Sequence, residues 1–392
     1  MRAPFRLLPA LLLCCGAIEA SAARYVVAGN AETVFAWESQ RCDVQDIPDA
    51  PARAFRDAAG TVHLFAPHFV NRALTGARLD TVTPNCRVAF AASGNDDPAA
   101  FDDRLWLNSF ATTNGTVIHA LAHAEYHGHR RPGCVGGRYM DCWWNAVVQL
   151  VSRDGGASFR REGRDGAVVA APAYAYDGRQ GRPTGYFSPS NIVELGGDRY
   201  VFIFAAAQGL QRRGACLLRT DRIAEPGRWR AWDGNDFTVR LIGATAGAGQ
   251  PPQDRVCAPL AGIPSTLTSV TQQPDGGFTG LFAASRSLVS EGSAVTGIYV
   301  IRSTDLLHWS EASLLLAVPM MFDFPCDAPS VYAYPSLLDP DSPSPTFATT
   351  GTHPYLYLTR FNVRDCKLGM NRDLVRFPVV LQQEPGSTGA DR

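Results

Sequence analysis

The chain has 392 residues, which is enough for a large core or two domains, and its formal net charge at pH 7 is −1. A near-neutral chain has no bulk field that would recruit nucleic acid or an anionic membrane surface. The 36 glycines and 27 prolines indicate frequent turns, and short runs of Val, Ile, Tyr and Phe between them favour an all-β fold.

The first residues are typical of a secretory signal peptide. Arg2 and Arg6 precede an apolar run over residues 7–18, and a small-residue cleavage site follows at residues 20–22. The run is short for a membrane span.

A lipoprotein is the alternative, because Cys14 and Cys15 lie in the apolar run. However, a lipobox requires a small residue directly before its cysteine, and neither Cys14 nor Cys15 has one. We therefore expect residues 1–22 to be removed. Residues 23–392 are then expected to form a single domain, secreted or periplasmic, monomeric, and bound to neither membrane nor nucleic acid.

Eight cysteines remain after such cleavage, and an even number in an exported chain predicts disulfide bonds. The spacing favours pairs of sequential neighbours: Cys42–Cys86, Cys134–Cys142, Cys216–Cys257 and Cys326–Cys366. No C-x-x-C pair occurs after the signal peptide, so a zinc site is not expected.

Five repeats follow one another, each with a first strand, a turn, a second strand and a later strand that runs into a turn containing Asp. They begin near residues 48, 102, 186, 263 and 329. The clearest turn spans residues 152–159. There Asp154 can accept hydrogen bonds from turn amides, and Gly155 and Gly156 permit positive φ.

Five such repeats in succession predict a five-bladed β-propeller with one four-stranded antiparallel sheet per blade. A blade cannot bury both faces alone, so the ring should fold as one domain. Residues 24–37 are expected to complete the last blade. A two-sheet sandwich with chance repetition is the alternative.

The pattern S-x-D-x-G-x-[S/T]-[F/W] at residues 152–159 resembles the Asp-box of sialidases and other propellers. Two further segments resemble motifs of the arabinanase, invertase and levansucrase group of five-bladed glycosidases: Ser303-x-Asp305-Leu306-x-His308-Trp309 and Tyr334-Pro335-Ser336-Leu337-Leu338-Asp339. The resemblance implies a pocket at one mouth of a central channel, with carboxylates from the innermost strands. It implies an exported glycoside hydrolase-like protein that cleaves a poly- or oligosaccharide.

Asp49 is the first catalytic candidate, because the resembled enzymes carry a base or nucleophile Asp near the innermost strand of the first blade. Asp49 could instead cap the start of the strand or pair with Arg53. Glu125 is the second candidate, since a Glu held among aromatic residues has the raised pKa that a general acid needs. Its alternatives are neutralisation by Arg130 or Arg131, or a metal held by the neighbouring histidines.

Asp327 is the third catalytic candidate, in competition with Asp102 and Asp103. The sequence departs from the resembled group near residues 188–191, where the third-blade acid should fall and no carboxylate occurs. Glu125 would then replace that acid. The starts of the first strands and the ends of the second strands open on the same mouth, and the residues there predicted to bind substrate are Arg53, His68, His123, Asn191, Arg286 and Arg360.

Two other functions remain open. Arg53, Arg286 and Arg360 could converge on a substrate carboxylate, as in a sialidase, although sialidases have six blades. A non-enzymatic propeller could bind glycan or protein through the same mouth, with Tyr126, Trp143 and Trp144 as exposed aromatic residues. No cofactor or catalytic metal is expected, and a structural Ca²⁺ stays open.

Overall fold

A computed structural model describes residues 24–162, 167–285 and 295–382. The predicted signal peptide and Arg286 lie outside these residues. The described chain is nearly all β, as predicted. One short α-helix, α1 (Trp37–Gln40), and four 3₁₀ turns accompany the strands; the turns are Pro98–Ala100, Gly128–Arg130, Pro226–Arg228 and Pro252–Arg255.

Twenty-four strands follow one another through the described ranges. Their bounds are β1 (Arg24–Val27), β2 (Glu32–Phe35), β3 (Arg53–Arg56), β4 (Val62–Phe65), β5 (Val70–Gly76), β6 (Thr83–Ala91), β7 (Arg104–Ala111), β8 (Ile118–His127), β9 (Trp143–Ser152), β10 (Arg160–Arg161), β11 (Val168–Ala170), β12 (Thr184–Phe187), β13 (Val193–Leu195), β14 (Asp198–Ala205), β15 (Gly214–Thr220), β16 (Arg230–Trp232), β17 (Phe237–Val239), β18 (Ser269–Gln272), β19 (Phe278–Ala284), β20 (Gly297–Ser303), β21 (Ser313–Ala317), β22 (Ser330–Leu338), β23 (Tyr355–Asn362) and β24 (Arg372–Gln382).

The strands pair mostly with their neighbours in sequence. Two sheets are simple antiparallel meanders, β3-β4-β5-β6 and β18-β19-β20-β21. An eleven-stranded sheet contains β7-β8-β9 and β14-β15-β16-β17, which are joined because β12 pairs in parallel with β9 and antiparallel with β14. In the last sheet, β22-β23-β24 continues into β1 and β2, which both pair with β24. The amino-terminal segment therefore joins the last sheet, as the sequence predicted.

The hydrophobic core lies between successive strand groups. Separate buried clusters join β3–β6 to β7–β9, β7–β9 to β14–β17, β14–β17 to β18–β21, and β18–β21 to β22–β24. A further cluster joins the last group to the first, with Tyr357 and Leu338 packed among residues such as Leu64 and Ala54. Each group thus buries one face on the group before it and the other on the group after it.

The turn at residues 152–159 has the predicted hydrogen bonds. The Ser152 hydroxyl donates to Asp154 at 2.7 Å, and the Ser158 amide and hydroxyl donate to Asp154 at 2.9 and 2.7 Å. Gly155 and Gly156 have φ of 68° and 95°. The turn after β20 repeats the pattern, since Ser303 and the His308 amide donate to Asp305 at 3.1 and 2.8 Å.

All four predicted disulfide bonds are present: Cys42–Cys86, Cys134–Cys142, Cys216–Cys257 and Cys326–Cys366. Such bonds persist in oxidising compartments, which is compatible with an extracellular protein. Among the helices of the described residues, none has the length and apolar character that crossing a membrane requires.

Candidate active site

A cavity of about 500 Å³ opens where the first strands of several groups converge. It receives side chains from the segment before β3, the connection between β4 and β5, strands β7 and β8, and the carboxy-terminal sheet. Its polar and charged lining residues are Gln45, Asp49, His68, Arg104, Asn108, His123, Glu125, His127, Arg130, Ser188, Tyr334 and Arg372, and its aromatic residues include Phe69, Trp106, Tyr139 and Trp143.

The register of β7 on β8 places several of these side chains in rows. Arg104 lies opposite Glu125, and Trp106 lies opposite His123. Because side chains alternate between the faces of a strand, His123, Glu125 and His127 share one face of β8. The other face of this stretch of β8 is apolar: Ala122 and Ala124 are in the buried core. The alternation therefore delivers one carboxyl and two imidazoles to the cavity.

Glu125 is held between the two histidines. Its Oε2 lies 2.7 Å from His127 Nε2, and its Oε1 lies 3.4 Å from His123 Nδ1. Its side chain is only 14% exposed. Burial raises the pKa of Glu125 to about 7, with Asp49 and Asp103 adding to the rise and His123 and Arg104 opposing it. Glu125 is therefore protonated to a large extent near neutral pH.

The two histidines are neutral at that pH. Burial lowers the pKa of His127 to about 3 and also lowers the pKa of His123. The ring of His127 is stacked on Trp143 at 4.1 Å, and His123 Nε2 lies 3.1 Å from Asn145 Oδ1. A neutral imidazole can accept a hydrogen bond from protonated Glu125 or donate one to its ionised form. Either protonation state of Glu125 thus keeps a partner.

Asp49 lies in the same cavity in a different environment. Its Oδ1 accepts hydrogen bonds from Arg372 Nη1 and, at 3.2 Å, from the Tyr334 hydroxyl. Its Oδ2 accepts a longer one of 3.3 Å from Trp106 Nε1 and lies 3.8 Å from His68 Nε2. These contacts stabilise negative charge on Asp49, and they leave Oδ2 less engaged than Oδ1.

The backbone is strained where Tyr334 meets Asp49. Tyr334 has a φ of 57°, and a break in the β22–β23 register lies between Ala333 and Ser336. Ser188, across the cavity, has a φ of 41°. Left-handed backbone at residues other than glycine is costly and collects at functional sites. Here the bulge turns the Tyr334 hydroxyl towards the Asp49 carboxylate.

Four of the predicted site residues meet in this cavity: Asp49, Glu125, His68 and His123. The pKa of His68 falls to about 4, chiefly through burial, although Asp49 opposes the fall. His68 is therefore a neutral neighbour of Asp49. Neither predicted alternative partner pairs with Glu125 within the described ranges: its carboxyl contacts His127 and His123, and Arg131 pairs with Asp96 and Asp103.

The other described candidates lie outside the cavity lining. Asp327 is exposed to solvent. Arg53 is 3% exposed, and its guanidinium donates to the backbone oxygens of Asn108 and Ala52 at 2.9 Å, to that of Thr268, and to the Ser336 hydroxyl at 3.1 Å. It joins strand groups, and four of its five N–H donors are engaged within the protein.

Asn191 and Arg360 also have structural partners. The Val270 amide donates to Asn191 Oδ1 at 2.8 Å, and Asn191 donates back to the Val270 oxygen at 2.5 Å. Arg360 pairs with Asp373 at 2.7 Å. The structure therefore does not bring Arg53 and Arg360 together as a carboxylate-binding cluster, and Arg286 lies outside the described residues.

Asp102 and Asp103, the competitors for the third role, have local partners. Asp103 accepts hydrogen bonds from the His127 amide and from Arg131, both at 2.9 Å. Asp102 accepts one of 2.6 Å from Ser93. Asp103 thus fixes the backbone next to Glu125 without lining the cavity.

The aromatic residues expected to be exposed are buried instead. Tyr126, Trp143 and Trp144 belong to the core, because residues 131–142 and the segment around Tyr176 cover them. Only Trp143 lines the cavity. The accessible aromatic residue there is Tyr139, 67% exposed and packed edge-on against Trp143.

Sequence reasoning missed Arg104, Trp106 and Arg372 as site residues. The first two alternate along β7, a signal that could have been read from the pattern. Arg372 begins β24, more than 300 residues from Asp49 along the chain, and no local pattern links them. Among the described residues, no group of three or more His, Cys, Asp and Glu side chains is arranged to hold a metal ion.

Comparison with known proteins identifies relatives by structure alone. No family model and no curated protein matches the sequence. Among solved structures, the chain is similar to Zg3597, a family 117 glycoside hydrolase produced by the marine bacterium Zobellia galactanivorans, with 12% identity over 92% of this chain and 91% of that one and a TM-score of 0.53. It is also similar to Cellvibrio cellulosa α-L-arabinanase complexed with arabinohexaose, with 12% identity, coverage of 88% and 92% and a TM-score of 0.47. At such identity the likeness to Zg3597 shows a shared fold, so the predicted resemblance to propeller glycosidases is confirmed at that level.

Proposed function

We propose that this chain is an exported glycoside hydrolase built on a five-bladed β-propeller, acting on a poly- or oligosaccharide. The five strand groups β3–β6, β7–β9, β14–β17, β18–β21 and β22–β24 would be the blades. The hydrophobic clusters that join each group to the next, and the last to the first, support this arrangement. The Asp turns after β9 and β20 would then mark equivalent positions in two blades.

The observation that carries the function is that one cavity holds two carboxyls in different environments, Glu125 buried between two histidines and Asp49 bound by Arg372 and Tyr334. Glycoside hydrolysis needs one protonated and one ionised carboxyl on either side of the scissile bond. Glu125, with a pKa of about 7, fits the general acid. Asp49, held by Arg372 and Tyr334, fits the ionised partner.

In the proposed mechanism, Glu125 donates its Oε1 proton to the leaving-group oxygen. His127, neutral with its proton on Nε2, donates to Glu125 Oε2 at 2.7 Å before and after this transfer and so stabilises the new carboxylate. Asp49 Oδ2 acts on the opposite side of the sugar, either by activating water or by attacking the anomeric carbon. The exposed ring of Tyr139 offers a face on which a sugar can stack.

The test uses substitutions that keep side-chain volume, Glu125→Gln and Asp49→Asn. With a panel of arabinan, galactan, fructan and uronan oligosaccharides, the wild type should release new reducing ends. Each variant should lose about 10²–10⁴-fold in kcat, the usual contribution of a positioned acid or base. Asp327→Asn, a matched change at an exposed carboxyl outside the cavity, should leave the rate unchanged.

Two outcomes would count against the proposal. Hydrolysis that persists at full rate in both Glu125→Gln and Asp49→Asn would place the chemistry elsewhere. Retention of an oligosaccharide that wild type never cleaves would support the alternative of a glycan-binding propeller.

A further inference from the structure

The cavity holds more positive than negative charge. Three arginines line it, Arg104, Arg130 and Arg372, against two carboxyls, Asp49 and Glu125. Arg372 is paired with Asp49. Glu125 carries little charge below a pH of about 7, the value to which burial raises its pKa. Arg104 and Arg130 are therefore the arginines of the lining that form no ion pair within the described ranges.

Arg104 is fixed without an anionic partner. Its guanidinium carbon lies 4.5 Å above the ring of Phe69, a cation–π contact that orients it at the wall. It lies opposite Glu125 on the strand, yet no carboxylate of the described ranges comes within 4.0 Å of it. A half-buried guanidinium is normally paired with a carboxylate or phosphate.

Arg130 adds to the same positive region. It ends the 3₁₀ turn Gly128–Arg130, which directly follows β8. Burial lowers the pKa of Arg104, and the positive charge of Arg130 is the next cause of that fall. Two like charges therefore lie near each other at the wall, and each would gain from an anion bound between them.

Other arginines of the protein contrast with this pair. Arg131, next in the chain, contacts both Asp96 and Asp103, and Arg376 pairs with Glu32 at 2.8 Å. Arg53 and Arg255 also lack a carboxylate, but their guanidinium groups donate to backbone oxygens. Arg104 differs from both, because no hydrogen bond or ion pair within the described ranges engages its guanidinium.

We propose that Arg104 and Arg130 form a subsite for an anionic group of the substrate, a carboxylate or a sulfate ester, so that the saccharide is an acidic one. This inference rests on the proposed function, because it places a sugar in this cavity. A guanidinium can bind either group through two parallel hydrogen bonds. A carboxylate and a sulfate ester would bind the arginines in the same way, and the binding test below distinguishes between them.

The test measures binding to full-length Glu125→Gln protein, which mimics protonated Glu125 and does not turn over. The probes are matched pairs: oligogalacturonate with its methyl ester, sulfated galactan oligosaccharide with its desulfated form, and glucuronate with glucose. At least one anionic probe should bind about tenfold or more tightly than its neutral partner. The preference should fall as NaCl rises from about 0.05 to about 0.5 M, because salt screens exposed charge.

Arg104→Gln should abolish that preference, Arg130→Gln should reduce it, and Arg104→Lys should keep part of it. Arg212→Gln, a change at an exposed arginine outside the cavity, is the matched control and should change nothing. Unfolding midpoints of all variants separate loss of binding from loss of fold, and the exposed Arg130 tests the subsite even where Arg104→Gln is unstable.

If the anionic probes bind no more tightly than their neutral partners, or if neither binds, the subsite is refuted. A preference that survives Arg104→Gln and Arg130→Gln in folded protein refutes it equally. Cleavage of neutral glycans without any preference for acidic ones would refute the anionic subsite and leave the proposed hydrolase function standing. Selective binding of acidic sugars that wild type does not cleave would refute the hydrolase function and support the subsite.

Discussion

Replacing Glu125 by Gln should remove activity and yet stabilise the protein at alkaline pH. In the folded protein, burial raises the pKa of Glu125 from its ordinary 4.5 to about 7. A pKa unit corresponds to about 1.4 kcal/mol, so ionising Glu125 costs about 3 kcal/mol more in the folded protein than in the unfolded chain. The side chain is 14% exposed, so solvent screens this cost only slightly.

The sign follows from proton binding. Between pH 4.5 and about 7 the unfolded chain has released a proton that the folded protein keeps, so the free energy of unfolding falls as pH rises through this window. Above a pH of about 7 the free energy of unfolding has lost the whole of this contribution. A Gln at this position carries no charge at any pH, and its amide can still hydrogen-bond to His127 Nε2.

Urea unfolding of wild type and Glu125→Gln at several pH values measures the effect. The variant should be more stable by roughly 1 kcal/mol near pH 5 and by about 3 kcal/mol near pH 8.5. Asp327→Asn, the same kind of change at an exposed position, should show no such trend. If wild type and Glu125→Gln lose stability in parallel across this range, Glu125 is not a buried acid and its catalytic assignment loses its physical basis.

Four further outcomes are expected. Above a pH of about 7, wild-type kcat should fall about tenfold per pH unit, because the general acid Glu125 loses its proton; a flat profile to pH 9 would exclude it as that acid. Arg53→Met should lower the free energy of unfolding by at least about 2 kcal/mol in urea titrations, since it removes a buried donor from the backbone oxygens of Asn108, Ala52 and Thr268. Replacing Cys134 and Cys142 by Ser should lower the free energy of unfolding by about 2–3 kcal/mol, because the unfolded chain gains loop entropy. KM should rise while kcat changes less, because the loop that the disulfide closes carries lining residues of the cavity. Asp154→Ala should lower the unfolding midpoint, because the turn loses its acceptor, while leaving kcat/KM unchanged; a drop in kcat/KM in folded protein would contradict a purely structural turn.

The sequence predicted features whose causes are local. The turn at residues 152–159 follows from an Asp that accepts nearby amides and two glycines that accept positive φ. The disulfide bonds join cysteines that are neighbours in cysteine order, with modest chain separations of 44 residues for Cys42–Cys86 and 41 for Cys216–Cys257. The polar cluster around Glu125 was also visible, because alternation on one strand is a short-range pattern.

Arg53, Asn191 and Arg360 show where this reasoning fails. Each was predicted to reach the mouth from a strand position, but each is bound by partners that the sequence does not reveal, such as Thr268 for Arg53 and Asp373 for Arg360. A strand position fixes which way a side chain points relative to its own sheet. It does not say how close the neighbouring strands come.

Local sequence thus determined the β class, the turns, the disulfide pairs and two carboxyls of the candidate site. Only the tertiary structure decided that Asp49 meets Arg372 and Tyr334, that Glu125 is desolvated between two neutral histidines, and that Arg104, although opposite Glu125, forms no ion pair. The physical reason is that charge states depend on burial and on distances between groups far apart in sequence, which arise only when the strand groups pack around a common centre.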